Sequence, residues 1–395
     1  MEKESEKRIL FVSPDQNPFE YKIGSAQRTN LLLNACIESA SVDVLTFVKN
    51  INTVVVKGCR LIVCDKQHNI ATQPGSKLQK WKPVFLFWKQ ESIFNYDRRN
   101  AQALLNAVDF NSYDFIVVRY LSKALEYGLM NFAGKLIVDV DDLPADQYKV
   151  MAAQASSYSS KVRYSILSFT SQFVTKRLIQ QVYKALFTNP SQLIGNNAVY
   201  LPNIPYSQNT NCSEVDFSKP GKRICFVGEL GHSPNENGID YFLENIYKKL
   251  LRKIPDVEFH IAGKLHDSRF KEKWEKYTNV HLLGYVEDLA LFYKDAMVVV
   301  NPVYTGGGTN IQFLEAAQMK RVCVTTKVGF RGFEGFFEDK SDCFVARNDA
   351  EFVTAISRLL LEKELNRELA KNAFGKVNKY FSREVFNKIV KESIQ

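Results

Sequence analysis

Gly306, Gly307 and Gly308 stand in sequence within VVVNPVYTGGGTNIQFLEAAQ, between an apolar run ending at Asn301-Pro302 and a helical pattern beginning near Thr309. With no Cβ in the way, three successive glycines let backbone approach a ligand closely. The helix start beyond them offers unpaired N–H groups and a partial positive charge, which suits phosphate. Thr309 is placed to cap that helix through its hydroxyl, with Asn310 next to it. Glu315 follows in the second turn, among Ile311, Phe313, Leu314, Ala316 and Ala317. A carboxylate in such company needs a partner, and the hydroxyls of a ribose would serve. The plain alternative is a glycine turn with Glu315 in solvent.

Two further loops have the same strand-to-helix setting. FVGELGHSPNENGIDYF runs from an apolar strand into Gly228, Glu229 and His232 before an amphipathic helix, and His232 is placed to face a bound ligand. The first loop ends in GSAQR, where Gly24 and Ser25 can offer N–H groups to a diphosphate. It matches neither G-x-G-x-x-G nor G-x-x-x-x-G-K-[ST], which argues against a dinucleotide dehydrogenase and a P-loop NTPase. Arg119 ends an apolar strand, either facing substrate or paired with Asp139 or Asp142. Strand alternation sends Asp139 and Asp141 to one face and Asp142 to the other, which argues against a metal cluster in this run. None of the five histidines falls in a ligand-like pair, His260 and His281 read as structural strand residues, and no metal is expected.

These residues need elements to hold them. Short apolar, β-branched runs alternate with helix-length segments along 395 residues, 45% of them hydrophobic and 24% charged. That alternation indicates parallel sheets covered on both faces. In the first half the strands are Arg8–Ser13, Val42–Val48, Phe115–Val118, Leu136–Val140, Leu186–Thr188 and Val199–Leu201. Helices are expected at Thr29–Ser39, Ala101–Val108, Ser122–Phe132 and through Lys149–Phe187. A Pro-, Asn- and Ser-rich linker, Leu201–Lys222, separates a second series of strands and helices that ends in a short helix, Arg383–Ile394. The expected fold is therefore α/β, two Rossmann-like domains spanning 1–205 and 206–380, with 381–395 as a terminal helix.

The seven cysteines are scattered and read as reduced, small apolar residues. No apolar run reaches the roughly 20 residues of a membrane-spanning helix, and the first residues show no signal-peptide stretch. A cytoplasmic protein is expected. Before Pro205 there are 24 basic and 17 acidic residues, and from there on 28 and 26, so the first half carries +7 of the +9 net charge. Such a field suits anionic lipid headgroups or phosphorylated substrates. No nucleic-acid motif accompanies it, and no nucleic-acid partner is expected.

At the level of extended segments, FVGELGHSPNENGIDYFLENI, EFHIAGK, NVHLLGYVEDLALFYKDAMVVVNPVYTGGGTNIQFLEAA and VTTKVGFRGFEG resemble the C-terminal half of glycosyltransferase family 4. FVSPDQNPFEYKIGSAQRTNLLLNA, YDFIVVRYLSKAL and LIVDVDDLP are more loosely similar to the first half of its bacterial polysaccharide branch. The resemblance implies a GT-B fold, two domains facing each other across a cleft, and metal-independent sugar transfer from a nucleotide-sugar with retention of configuration. It implies that Glu315 accepts from the ribose hydroxyls and that Gly307, Gly308 and Thr309 lie beside the donor phosphates. Gly24 and Ser25 would face the diphosphate from the other domain, and the terminal helix would return to the first. The sequence also departs from that family. Gly307 occupies the place of a second glutamate, Glu229 and approximately Asn237 stand where an arginine and a lysine often clamp the diphosphate, and Asn310-Ile311-Gln312 replaces Arg-Leu-Lys. Arg331, or Arg28 and Arg119 from the first domain, would have to supply the missing charge, since a leaving diphosphate in a metal-free site needs it.

The expected activity is that of a hexosyl-type glycosyltransferase in surface polysaccharide or glycoconjugate assembly, with Arg119, Asp142 and Arg331 as candidate catalytic residues. Its substrates would be a nucleotide-sugar, UDP- or GDP-linked, and a glycan or lipid-linked acceptor, and no separate cofactor is expected. The basic, apolar Lys149–Phe187 segment would permit peripheral membrane contact. The rivals are a catalytically silent GT-B subunit supporting a partner transferase and a nucleotide-sugar 2-epimerase.

Overall fold

The strand sequences RILFV, FIVVR and LIVDVD are buried almost throughout. Near-continuous apolar strands of this kind belong to parallel sheets covered on both faces. A computed structural model of the chain describes residues 7–21, 24–49, 51, 59–66, 98–141, 143–206, 213–218, 221–265 and 269–395. It divides into two compact units, residues 1–202 with 386–395, and residues 203–385.

The first unit contains β1 (Arg8–Val12), α1 (Gly24–Ile37), β2 (Ser41–Thr46), β3 (Cys59–Val63), α2 (Arg98–Asn106), β4 (Phe115–Arg119), α3 (Leu121–Glu126) and β5 (Leu136–Asp141). It continues through α4 (Pro144–Gln154), α5 (Tyr158–Ile179), β6 (Lys184–Phe187) and β7 (Ala198–Tyr200). All pairings are parallel, in the order β3-β2-β1-β4-β5-β6-β7. Leu10, Val12, Ile116, Val118, Val138 and Phe187 lie at the centre of its core.

The second unit contains β8 (Lys222–Val227), α6 (Ser233–Phe242), a π-helical turn over Leu243–Tyr247, α7 (Lys248–Lys253), β9 (Val257–Ala262), α8 (Arg269–Glu275), β10 (Val280–Gly284) and α9 (Leu289–Lys294). There follow β11 (Val298–Asn301), α10 (Ile311–Gln318), β12 (Val322–Thr326), β13 (Phe344–Ala346), α11 (Asp349–Leu361), α12 (Lys363–Tyr380) and α13 (Arg383–Ser393), the last of which runs on into the first unit. Its sheet is also parallel, ordered β10-β9-β8-β11-β12-β13. Among the described residues no helix is long and apolar enough to cross a membrane.

Several boundaries differ from expectation. α1 begins at Gly24, not Thr29, so Gly24 and Ser25 are its first residues rather than loop. The segment expected to be helical through Lys149–Phe187 is two helices and a strand. Ser157 accepts from the Ser160 N–H at 3.2 Å and starts α5 anew, and β6 occupies Lys184–Phe187. Ser122–Phe132 is a short helix followed by a 3-10 turn over Leu129–Lys135. The strand Cys59–Val63 and the helix Leu289–Lys294 were not expected.

Candidate functional site

In the second sheet the chain moves outward from β8 through β9 to β10, then crosses back to β11 and moves the other way. The order therefore reverses between β8 and β11, and open parallel sheets bind ligands beyond the carboxyl ends of strands at such a point. The loops leaving those two strands are the Gly228 and the Gly306–Gly308 loops. Three close approaches bring them together. A Cβ on Gly306 would lie 3.4 Å from the Pro234 ring, one on Gly238 would lie 2.4 Å from the Pro302 carbonyl oxygen, and the Tyr241 and Tyr304 rings are 4.7 Å apart.

Arg331, in the loop after β12, holds the glycine loop from its other side. Its Nη2 donates to the Gly306 carbonyl at 3.1 Å and the Gly308 carbonyl at 2.9 Å. Among the described residues its Nε and Nη1 have no acceptor, so part of the guanidinium remains available at the loop. Thr309 does not cap the helix. Asn310 occupies the N-cap with no side-chain bond, and the Thr309 hydroxyl instead accepts from Asn203 Nδ2 at 2.7 Å. The loop runs one residue further than its composition suggests because Asn310 is still extended.

Glu315 lies on α10 between the buried Leu314 and Ala316 and is itself half-buried, its carboxyl oxygens keeping some contact with solvent. Its carboxyl has no hydrogen-bond partner among the described residues. Burial pushes its carboxyl up to about 7. The hydroxyl of Tyr293, on α9, is buried and also without a partner, and the Glu315 charge adds to burial in raising it. Arg321 positions both helices. Wholly buried, it donates to the Tyr293, Lys294, Met319, Lys320 and Ser213 carbonyls, so it solvates its charge on the final carbonyls of α9 and the turn ending α10.

Around Gly228 the backbone is equally tight. A Cβ on Gly263 would lie 1.8 Å from the Gly228 carbonyl oxygen. His232 is exposed at the N-cap of α6 and makes no capping bond. Pro234 removes one N–H from this helix start, and Glu236 places a carboxylate in its first turn. Glu229 is exposed, and its carbonyl accepts from Asn235 Nδ2 at 2.9 Å. Lys264, exposed at the carboxyl end of β9, accepts the Leu230 N–H with its carbonyl at 3.2 Å, which places a basic residue next to this loop. Neither Lys264 nor Arg321 was singled out in the sequence, where each looks like any basic residue beside a strand.

The first sheet reverses between β1 and β4. Here Arg119, at the end of β4, is not a free cation aimed at substrate. It is buried, its Nε donates to Asp139 at 3.1 Å, its Nη2 to Asp141, and its Nη1 to the Ser25 carbonyl and the Thr29 hydroxyl. Arg28 grips Asp139 through two bonds, at 2.7 and 2.9 Å, and donates to the Leu201 and Pro202 carbonyls. Neither arginine supplies the unpaired phosphate charge expected of it, and both act as positioning residues at the start of α1. Asp139 and Asp141 reach one arginine from one face, although the β5–β6 pairing shifts between them. Tyr120 and Asp141 hold φ of 70° and 55° at the ends of neighbouring strands, the left-handed region that side chains rarely adopt. Asp142 lies outside the described residues.

His260 and His281, read as unpaired strand residues, prove to be partners. They are register neighbours on β9 and β10 with rings 4.8 Å apart, and His260 Nε2 lies 3.0 Å from Glu258. Glu258, His260 and His281 could present three metal donors, while Arg223, 3.7 Å from Glu258, competes for its carboxylate. A cavity of about 470 Å³ opens elsewhere, beside β13 and α11, where Arg347, Asn348, Glu351 and Arg358 line it. Its polar rim is paired within itself, Glu351 with the Arg347 N–H and Asn348, and Arg358 with Glu362, so the switch point is the better candidate.

Residues 221–362 match the family model described as Glycosyl transferases group 1. Among curated proteins, the chain is 23% identical over 310 residues to an uncharacterized 44.6 kDa protein in the cps region of Klebsiella pneumoniae, covering 74% of this chain and 78% of the relative. Among solved structures, it is similar to sucrose-phosphate synthase from Thermosynechococcus elongatus, with TM-score 0.68 at 17% identity over 97% of this chain and 96% of that one. It is also similar to Anabaena HepE in complex with UDP and glucose, with TM-score 0.63 at 13% identity over 98% of each chain. The fold is thus α/β of the GT-B kind, and the match to the group 1 glycosyltransferase model falls within its second unit.

Proposed function

We propose that this chain is a retaining glycosyltransferase that moves a hexosyl group from a UDP- or GDP-sugar to a glycan or lipid-linked acceptor in surface polysaccharide assembly. The observation that carries the reading is Glu315, a half-buried carboxyl with no protein partner among the described residues, in the helix that follows a glycine loop braced by Arg331 at the switch point. Two vicinal ribose hydroxyls would satisfy both its oxygens and offset the cost of its burial. The Gly306–Gly308 backbone and the open edge of Arg331 would then meet the diphosphate, with Lys264 a further basic residue next to the Gly228 loop. HepE, which binds UDP and glucose, and the cps-region relative support a nucleotide-sugar donor and a polysaccharide setting.

Transfer would proceed as the sugar–phosphate bond lengthens and negative charge gathers on the diphosphate. Arg331 and the loop N–H groups are the groups of this chain suited to stabilise that charge, and removing such a donor typically slows a reaction by roughly 10²–10³. A second reading, a catalytically silent subunit, draws on a specific observation. Glu229 and Asn237 stand where a basic clamp would be, and Arg28 and Arg119 are held by Asp139 and Asp141. Thermal unfolding with UDP, GDP, ADP, CMP and dTDP and their sugar conjugates, with and without EDTA, separates the two. The transferase reading expects one nucleotide to stabilise the protein by several degrees at about 100 times its Kd, unaffected by EDTA. The silent subunit would show no shift with any of them.

A further inference from the structure

Helix α5 is apolar on two sides. Leu167, Leu178 and Ile179 are buried against the rest of its unit, while Tyr158, Phe169 and Phe173 are 84%, 64% and 60% exposed and Ile166 is also open. At 3.6 residues per turn, Tyr158, Val162, Ile166, Phe169 and Phe173 fall within a stripe about 80° wide and, at 1.5 Å per residue, about 22 Å long. The Phe169 and Phe173 rings meet edge to face at 5.0 Å, so the stripe is continuous there. Met151 on α4 is exposed as well. Contiguous apolar surface of this kind marks an interaction site rather than ordinary exposure.

The charge on this helix has one sign. Its 22 residues include no Asp or Glu, and Lys161, Lys176 and Arg177 are exposed. By the same helix geometry Lys161 and Arg177 fall about 80° to either side of Phe169, and Lys176 falls on the stripe one turn past Phe173. Lys149, on α4, is exposed too. A second copy of the chain would cover the aromatics but would bring two equally positive faces together. A soluble polyanion would satisfy the lysines and leave the aromatics in water. An anionic bilayer satisfies both, with rings at the boundary of headgroup and acyl chain and cations among the phosphates.

We propose that the exposed face of α5 docks this protein on anionic membrane, with Tyr158, Ile166, Phe169 and Phe173 as the inserted side chains and Lys161, Lys176 and Arg177 as the headgroup contacts. The inference does not depend on the transferase reading. The full chain is sedimented with vesicles of phosphatidylcholine alone and of phosphatidylcholine with phosphatidylglycerol. It should partition onto the anionic vesicles, and added salt should weaken that binding. Joint replacement Phe169→Ser and Phe173→Ser should lower partitioning by about tenfold or more, and Lys161→Glu with Arg177→Glu should remove the preference for the anionic lipid. All four positions are exposed, so unchanged thermal unfolding verifies that each variant is folded. Absence of the wild-type protein from both vesicle pellets, or equal partitioning of the Phe variant, would overturn the proposal. So would a wild-type dimer that the Phe variant converts to monomer without any vesicle binding, which would assign the stripe to a second copy.

Discussion

Arg331 Nη2 donates to the Gly308 carbonyl at 2.9 Å, and the same nitrogen holds the Gly306 carbonyl at 3.1 Å. One side chain after β12 thereby fixes both ends of a three-glycine loop after β11. A loop of glycines has the largest conformational entropy to lose on ordering, so a brace of this kind lets it meet a ligand already shaped. Replacing Arg331 by Ala should lower nucleotide affinity by about tenfold or more and sharpen protease cleavage within 304–310. Thermal stability should fall by only about 1–2 kcal/mol, the worth of two hydrogen bonds. Calorimetric titration and limited proteolysis check these outcomes together.

The buried trio in the first unit should behave differently. Burial raises the Asp139 carboxyl, but Arg28 and then Arg119 outweigh that and hold it below the usual carboxylate range. A depressed pKa contributes stability above the unfolded value, and that stability is lost as pH falls through the folded one. Acid should therefore unfold this unit as pH drops below about 4. Asp139→Asn leaves two buried guanidinium groups short of a charge partner and should cost about 3–5 kcal/mol. Chemical denaturation followed by hydrogen exchange in β4 and β5 would register the loss.

Close backbone contacts at the switch point make a third test. Gly263 has φ of 155° and room for no side chain against the Gly228 carbonyl, and Gly238 has none against Pro302. Gly238→Ala should push α6 away from the β11 loop, lowering the unfolding temperature and nucleotide affinity together. Gly134→Ala, where a Cβ meets nothing within 4 Å, serves as the control and should change neither.

The raised Glu315 carboxyl links binding to pH. Below the unfolded value near 4.5 the native group carries its proton at no cost, and the stability this represents is lost as pH rises through about 7. In the free protein Glu315→Gln should accordingly be stabilising at pH 8, by at most about 3 kcal/mol, and nearly neutral at pH 5. Ribose hydroxyls donate to the ionised form, so nucleotide should bind more tightly at pH 8 than at pH 5.5. The difference should disappear in Glu315→Gln. Affinity titrations across that range on the two proteins check it.

Much of this arrangement was legible in the chain. The alternation of apolar runs and helical patterns gave two parallel sheets, and the glycine loop with Glu315 behind it stood out as a candidate site before the switch point of the second sheet was known. What escaped depends on partners distant in sequence. The pairing of Arg119 with Asp139 was one of two alternatives for that strand end, but Arg28 and Asp139 are 111 residues apart and nothing local adds Arg28 to the pair. His260 and His281 become neighbours only once β9 and β10 are placed in register. The helix Leu289–Lys294 is too short to show a period, and Arg321 looks like a surface residue until the carbonyls around it are seen. Thr309 was misassigned as a cap because its residue type fits that role, while the extended Asn310 beyond it decides where the helix starts.

The most direct test of the central claim is a calorimetric titration of UDP and GDP at pH 8 into the wild-type protein and Glu315→Ala. If Glu315 receives a ribose, one nucleotide binds the wild type without added metal and the variant loses about tenfold to a hundredfold in affinity. Equal affinity in the two proteins would remove Glu315 from the site and with it the nucleotide reading of the loop it follows.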